Sequence, residues 1–360
     1  LIEYMQDLHF DDDDIDYLRS LNLFSDEFID YLKDFKFDCD VWAVPEGTVI
    51  FPQEPIVTVR GNAMQALMLE TMVLLTINHQ SLIATKANRI VRAAQGRPVM
   101  EFGARRADGL DAANDSSIYG IMAGCVGTSN MMASDMLNMK AMGTMAHSFV
   151  ESFPTEYDAF IAYAHTYPQN SMLLVDTYDT LRSGVPNAIR TFNKMKEIGL
   201  DTSNIGIRID SGDLARLSKE SRKMLDEAGF SNAKICLSNG LTAETISDLV
   251  KQGAKFDVLG VGDNISKPSG RMCCVYKEVA LEVNGVMEPK IKLSNDTIKI
   301  VNPDHKKLYR AYDKDTGYAI ADIMTRQGEK ISRENLLIVS PVDDLKSTTI
   351  DNFELVELQR

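Results

Sequence analysis

Short apolar runs that end in small or polar residues, each followed by a helical pattern, dominate the middle of the chain. They fall at 98–102, 121–126, 141–146, 172–175, 205–209, 234–237 and 257–261. A spacing of roughly 20–35 residues is the size of one strand–helix unit. Runs that are apolar at successive positions belong to strands covered on both faces, as in a parallel sheet. The segments between them carry helical periodicity. Those at 213–228 and 242–252 open on Asp213 and Thr242 and stop at Gly229 and Gly253. Upstream, a long helix is predicted from Met64 to the glycine at 96. Residues 1–40 read as short acidic helices. The acidic run 11–14 is expected to cap a helix at 15–21 rather than to hold a cation. Residues 40–60 mix β-formers with Pro45, Gly47, Pro52 and Pro55, which predicts short strands and turns. After Arg271 the pattern changes again. Antiparallel strands are expected at 273–283, 286–293, 307–312 and 318–324, with turns at 284–285 and 316–317. The fold class predicted is α/β: an irregular, incomplete α/β barrel over 62–271, with a β-rich domain formed by 1–61 and 272–360.

Composition narrows the functions open to such a fold. With 38 basic against 52 acidic residues the net charge is −14. So acidic a surface excludes broad binding to nucleic acid or anionic membrane, but not a phosphorylated small molecule in a locally basic pocket. The five cysteines, Cys39, Cys125, Cys236, Cys273 and Cys274, are odd in number and form no CxxC pair. Reduced thiols in the cytoplasm are expected, with Cys273 and Cys274 as packing. No run approaches the ~20 apolar residues of a membrane span. The longest apolar helix, 64–94, is interrupted by Glu70, Asn78, His79 and Lys86. No signal peptide, zinc-ligand spacing, Walker A motif or GxGxxG turn is present. His79, His165 and His305 are read as helix or turn residues, and the methionine-rich stretch 131–145 as core filler.

The chemistry is expected where the strands end. In an α/β barrel the loops after the strands share one face, and the active site lies there. Those loops read GARR at 103–106, GTSN at 127–130, GTMAHS at 143–148, DTYD at 176–179, RIDSGD at 208–213, SNG at 238–240 and GVGD at 260–263. Glycines after the last two strands let backbone N–H groups approach a phosphate. Arg105 and Arg208 can hold a carboxylate or phosphate bidentately, although Arg105 beside Arg106 also reads as a surface pair. Asp210 and Asp213 can hold ribose hydroxyls or Mg²⁺. Asp176 can orient His147 and fix its tautomer. Ser148, Ser238, Asn239, Gly260 and Asp263 join the candidate substrate-binding set by position.

The motifs EFGARR (101–106), GTMAHSFV (143–150), DTYDT (176–180), IRIDSGDL (207–214) and LGVGD (259–263), in this order, closely resemble the nicotinate phosphoribosyltransferase family. The likeness covers nearly the whole chain. It implies a type II phosphoribosyltransferase fold. It also implies conversion of nicotinate and phosphoribosyl pyrophosphate to nicotinate mononucleotide and pyrophosphate, with ATP hydrolysis and Mg²⁺. His147 matches the family histidine that ATP phosphorylates, and Asp176 the acid that supports it. Thr144 and Arg208 match nicotinate-site positions. Arg105, Asp210, Gly240 and Gly262 match positions around the ribose, phosphate and pyrophosphate. A homodimer is also implied. Relative to the family, an N-terminal segment bearing a ring-stacking tyrosine is not found before Leu1. The chain also ends early, at Arg360, so a truncation at both ends is expected. Asp263 stands where many members carry threonine.

The neighbouring activity is nicotinamide phosphoribosyl transfer, which by the resemblance calls for an aspartate where this chain has Ser129. An acid there would repel a carboxylate, whereas Thr144 and Arg208 favour one. A quinolinate enzyme would need more basic residues. An aldolase would need a strand-end lysine. A non-catalytic module that keeps the phosphoribosyl cradle remains the alternative outside enzymes.

Overall fold

The computed structural model describes residues 1–293, 295, 300–332, 336–340 and 346–360. They form two compact units, 78–272 and, from both ends of the chain, 1–77 with 273–360.

The middle unit is built on a six-stranded sheet that curls into a half-barrel. Its strands are β1 (Val99–Glu101), β2 (Gly127–Thr128), β3 (Ser171–Leu174), β4 (Ile205–Ile209), β5 (Lys234–Leu237) and β6 (Val258–Val261). The spatial order is β2-β1-β6-β5-β4-β3, and every neighbouring pair is parallel. Burial follows the pattern expected for strands covered on both faces. In β4 only Arg208 is not fully buried. Ile207, Ile209, Ile235, Leu237 and Leu259 are all wholly inaccessible. Helices Val185–Glu197 and Leu214–Glu227 turn Phe192, Met195, Leu214, Leu217 and Leu225 into the same core. Each such side chain contributes about 1.5–3 kcal/mol by leaving water. Helices Leu214–Glu227 and Ala243–Lys251 begin on Asp213 and Thr242, whose side chains accept from Arg216 N and Thr245 N.

Three expectations fail here. The run 121–126 is no strand. Helix Leu110–Met122 runs through its first residues, and the chain exits through Gly124 before β2 begins at Gly127. The run 141–146 forms no strand either. It touches β2 by a single backbone bond, Met142 N to Thr128 O at 2.8 Å. Residues 138–143 are exposed, so no second layer covers them and no ladder is rewarded. The sheet therefore has edges at β2 and β3 among the described residues. The third failure is the methionine stretch. Met131, Met132 and Met136 are 73%, 62% and 65% exposed, and of this run only Met145 enters the core as filler.

The helical stretch 63–93 corrects a fourth expectation. By length and composition alone it is long and apolar enough to cross a membrane. In this fold Ile83, Ala87 and Ile90 from it enter the core of the middle unit.

The terminal unit begins with helix Ile2–Gln6, followed by helices Asp12–Ser20 and Asp26–Lys33, which pack through Ile15, Ile29 and Leu32. Asp11 and Asp14 form a capping box, which accounts for the acidic run by local hydrogen bonding. Strands Asp40–Ala43 and Val57–Arg60 pair antiparallel. A three-stranded sheet orders Ala319–Arg326, Lys306–Asp313 and Phe353–Glu357. The two ends of the chain meet here. Ala43 and Arg360 exchange backbone hydrogen bonds at 3.1 and 3.0 Å. Gln359 donates to Pro55 O and Thr58 Oγ1. The hairpin Ala280–Val283 with Val286–Pro289 turns at 284–285 as predicted, but residues 273–279 carry no strand.

Candidate active site

The C-terminal ends of the strands in the middle unit open on a cleft of about 470 Å³. Phe102, Ala104 and Arg105 line it from the loop after β1, and Ser129 from the end of β2. The extended segment 143–148 supplies Thr144, His147 and Ser148, and β4 supplies Arg208 and then Asp210. Gly260 allows part of this arrangement. A Cβ there would collide with the Phe102 ring, so only glycine lets that ring lie against β6.

Arg208 anchors one wall. Its Nε donates to Ser238 Oγ at 2.9 Å and its Nη1 to Thr144 Oγ1 at 2.7 Å, while Nη2 pairs with Asp210 Oδ1 at 2.9 Å. Ser238 Oγ in turn donates to the same Asp210 oxygen at 2.5 Å. The guanidinium carbon stands 5.8 Å from the centre of the Phe102 ring. Beneath the network lies Cys236, whose thiol is pushed up to about 12 by burial, Arg208 opposing and Asp210 adding to the shift. It stays a thiol and offers no nucleophile.

His147 forms the other wall. It is the first residue of helix His147–Glu151, and its Nε2 lies 3.3 Å from Asp176 Oδ1. The Asp176 side chain is only 2% exposed, against 41% for His147. Its second oxygen accepts from Ser211 Oγ at 2.5 Å. A buried carboxylate thus holds an accessible imidazole by one oxygen and is itself fixed by the other.

Three family profiles match along the chain. The N-terminal domain of nicotinate phosphoribosyltransferase matches residues 1–78, the nicotinate phosphoribosyltransferase family residues 98–314, and its C-terminal domain residues 305–360. The chain belongs to the nicotinate phosphoribosyltransferase family. A Bacillus subtilis nicotinate phosphoribosyltransferase is 40% identical over 99% of this chain and 73% of its own length. One from Mycobacterium tuberculosis is 41% identical over 94% of this chain and 71% of its own. The crystal structure of human nicotinic acid phosphoribosyltransferase superposes with a TM-score of 0.80 at 25% identity, covering 100% of this chain and 79% of that one.

Within this family member, Arg105, Thr144, His147, Ser148, Arg208 and Asp210 line a single cleft. Asp176 and Ser238 stand directly behind His147 and Arg208. Gly262 lies beside Gly103 at the neighbouring strand end. Asn239 and Gly240, on the loop after β5, and Asp263, which opens helix Asp263–Ser266, are outside the lining and exposed. Of the arginine pair, Arg105 faces the cleft and Arg106 does not line it. Asp213 acts as a helix cap through Oδ1 and is not part of the cleft lining. Sequence reasoning passed over Phe102, Ser211 and Glu101. Each sits inside a quoted motif, but partners that mark it lie outside that motif, on other elements. No cluster of three or more metal-ligating side chains exists among the described residues.

Proposed function

We propose that the chain transfers the phosphoribosyl group of phosphoribosyl pyrophosphate to nicotinate, forming nicotinate mononucleotide and pyrophosphate in NAD biosynthesis. The observation that carries this reading is Arg208. It is a guanidinium tied to the Thr144 hydroxyl at 2.7 Å and held 5.8 Å from an aromatic ring. A permanent cation beside a flat apolar face suits a planar ring that bears a carboxylate. Arg105, which lines the same cleft, would meet phosphate.

The reaction needs positioning more than covalent chemistry. Pyrophosphate leaves the anomeric carbon through an oxocarbenium-like state, and the ring nitrogen of nicotinate attacks from the opposite face. The chain's task is to hold the two reactants in line and to balance the departing charge. Asp210 is the carboxylate at hand for ribose hydroxyls or for Mg²⁺. Mg²⁺ usually keeps several waters and binds through one or two carboxylates and substrate phosphates, so it would be carried mainly by the phosphates of phosphoribosyl pyrophosphate. The ion would neutralise charge on the leaving pyrophosphate.

We extend the reading to coupling with ATP, which would make the enzyme a ligase rather than a simple transferase. His147 is the phosphoryl acceptor in this scheme. It is accessible in the cleft, its ring is held by Asp176, and no acid–base role in the sugar chemistry is required of it. Phosphate on His147 would add negative charge at the cleft and reorganise the loops around it. A homodimer completes the proposal, supported by the family likeness, and a cytoplasmic location is supported by five cysteines, an odd number with no CxxC pair.

The nicotinamide reading is disfavoured by Ser129, which lines the cleft where an acid would be needed for a neutral amide. The deciding assay follows product from nicotinate or nicotinamide with phosphoribosyl pyrophosphate and Mg²⁺, with and without ATP. Nicotinate should be used at least tenfold better, a difference of about 1.4 kcal/mol. Equal use of both bases, or binding of phosphoribosyl pyrophosphate without turnover, would overturn it.

A further inference from the structure

Glu101 ends β1 and is wholly inaccessible to solvent, yet no cation pairs with it among the described contacts. Three donors converge on its carboxylate. Gly103 N donates to Oε1, while Ser117 Oγ at 2.9 Å and Thr128 Oγ1 at 2.6 Å donate to Oε2. The donors come from three elements: the loop after β1, helix Leu110–Met122 and the edge strand β2. The helix reaches Glu101 because it turns small residues towards it. Ser116 and Ser117 are fully buried, and a Cβ on Gly120 would come within 3.4 Å of Glu101 Cγ.

Gly103 matters most. A side chain there would strike Ser266 Oγ, Glu101 and Gly262 O, so the backbone is wedged between β1 and the end of β6. From Gly103 the 3-10 turn Ala104–Arg106 starts, closed by Arg106 N to Gly103 O at 2.7 Å, and this turn presents Arg105 to the cleft. The backbone oxygen of Glu101 accepts from Ser129 N at 3.1 Å, which sets a second residue of the lining. An apolar side chain of the same volume would fill this hole without the cost of burying a carboxyl group. What it would not supply is an acceptor for the Gly103 amide.

We propose that Glu101 is a positioning residue for phosphoribosyl pyrophosphate: it holds the 103–106 turn, and through it Arg105, in the geometry that meets the phosphate. Glu101 does not line the cleft, so it acts through the turn and not on the substrate. The inference rests on reading Arg105 as a phosphate contact.

Steady-state kinetics in both substrates tests it. Glu101→Leu should raise the KM for phosphoribosyl pyrophosphate about tenfold while kcat and the KM for nicotinate stay within about twofold. Glu101→Gln should recover most of the loss. Its carbonyl still accepts from Gly103 N, and its amide donates to the two hydroxyls, which can rotate to accept. If Glu101→Leu fails to fold, Thr128→Val removes one arm of the clamp and should shift the same KM about two- to threefold. Arg105→Ala is the control. If Arg105→Ala leaves the phosphoribosyl pyrophosphate KM unchanged, the assignment of Arg105 falls. If Arg105→Ala raises that KM and neither Glu101→Leu nor Thr128→Val does, the positioning role falls. A loss in kcat at unchanged KM, or no recovery in Glu101→Gln, would reduce Glu101 to a core residue.

Discussion

On one wall of the cleft Asp210 meets a guanidinium at 2.9 Å; on the other Asp176 meets an imidazole at 3.3 Å. Both carboxylates also accept from a serine, Ser238 and Ser211, at 2.5 Å. The two arrangements look alike, but their cations differ. Arginine keeps its charge at any accessible pH, so the Arg208 wall presents a constant field to whatever enters. Histidine is neutral or charged as conditions ask and can take up another group. The carboxylates differ in the same sense, Asp176 being 2% exposed and Asp210 21%. A buried partner for a changeable group and an open partner for a fixed one suit a wall that changes state and a wall that recognises.

The largest test of this division is His147→Ala. The stimulation of product formation by ATP should vanish, while slow ATP-independent synthesis remains. Label from γ-labelled ATP on His147→Ala at the level seen with histidine in place would show that the two walls are not specialised as argued. Next is Arg208→Ala, which should lower kcat/KM for nicotinate about a hundredfold, or roughly 2.8 kcal/mol, by removing a charged partner of the carboxylate. Its ATP stimulation ratio should hold. Loss of both together would merge the walls into one unit. Ser129→Asp puts a carboxylate into the lining and should move the preference between nicotinate and nicotinamide about tenfold towards the amide. A rise in nicotinate preference would refute that reading of the position. The smallest effect belongs to Ser211→Ala, which frees one oxygen of Asp176. About a threefold loss of ATP stimulation is expected with nicotinate KM unchanged, since a single hydrogen bond is worth about 1 kcal/mol or less.

The legible part of the fold was the part covered on both faces. Residues 205–209 and 234–237 are apolar at most positions because these strands are buried on both faces, and they are strands over those same residues. Helix starts at Asp213 and Thr242 were readable because a cap is local chemistry within four residues. The runs 121–126 and 141–146 misled for the opposite reason. One is the last turn and exit of a helix, and the other is exposed as far as residue 143 with one bond to β2. Apolar content alone does not say whether a neighbour exists to pair with. At the site, strand-end position was enough to find Arg105 and Arg208, and the motif at 143–148 to find Thr144 and His147, all in one cleft. Asn239, Gly240 and Asp263 also occupy strand ends but are not among the residues that line the cleft. Nor did position show which serine or threonine meets which charge.

By itself the sequence determined the strands covered on both faces, the helix caps at Asp213 and Thr242, and the family, because each rests on periodicity or motifs read within a few residues. Only the tertiary structure decided that Thr144 meets Arg208 across 64 residues, that Ser211 fixes Asp176 across 35, and that Glu101 gathers Gly103, Ser117 and Thr128. A hydrogen bond needs donor and acceptor within about 3 Å, and that proximity is set by how the strands stack in the sheet, not by distance along the chain.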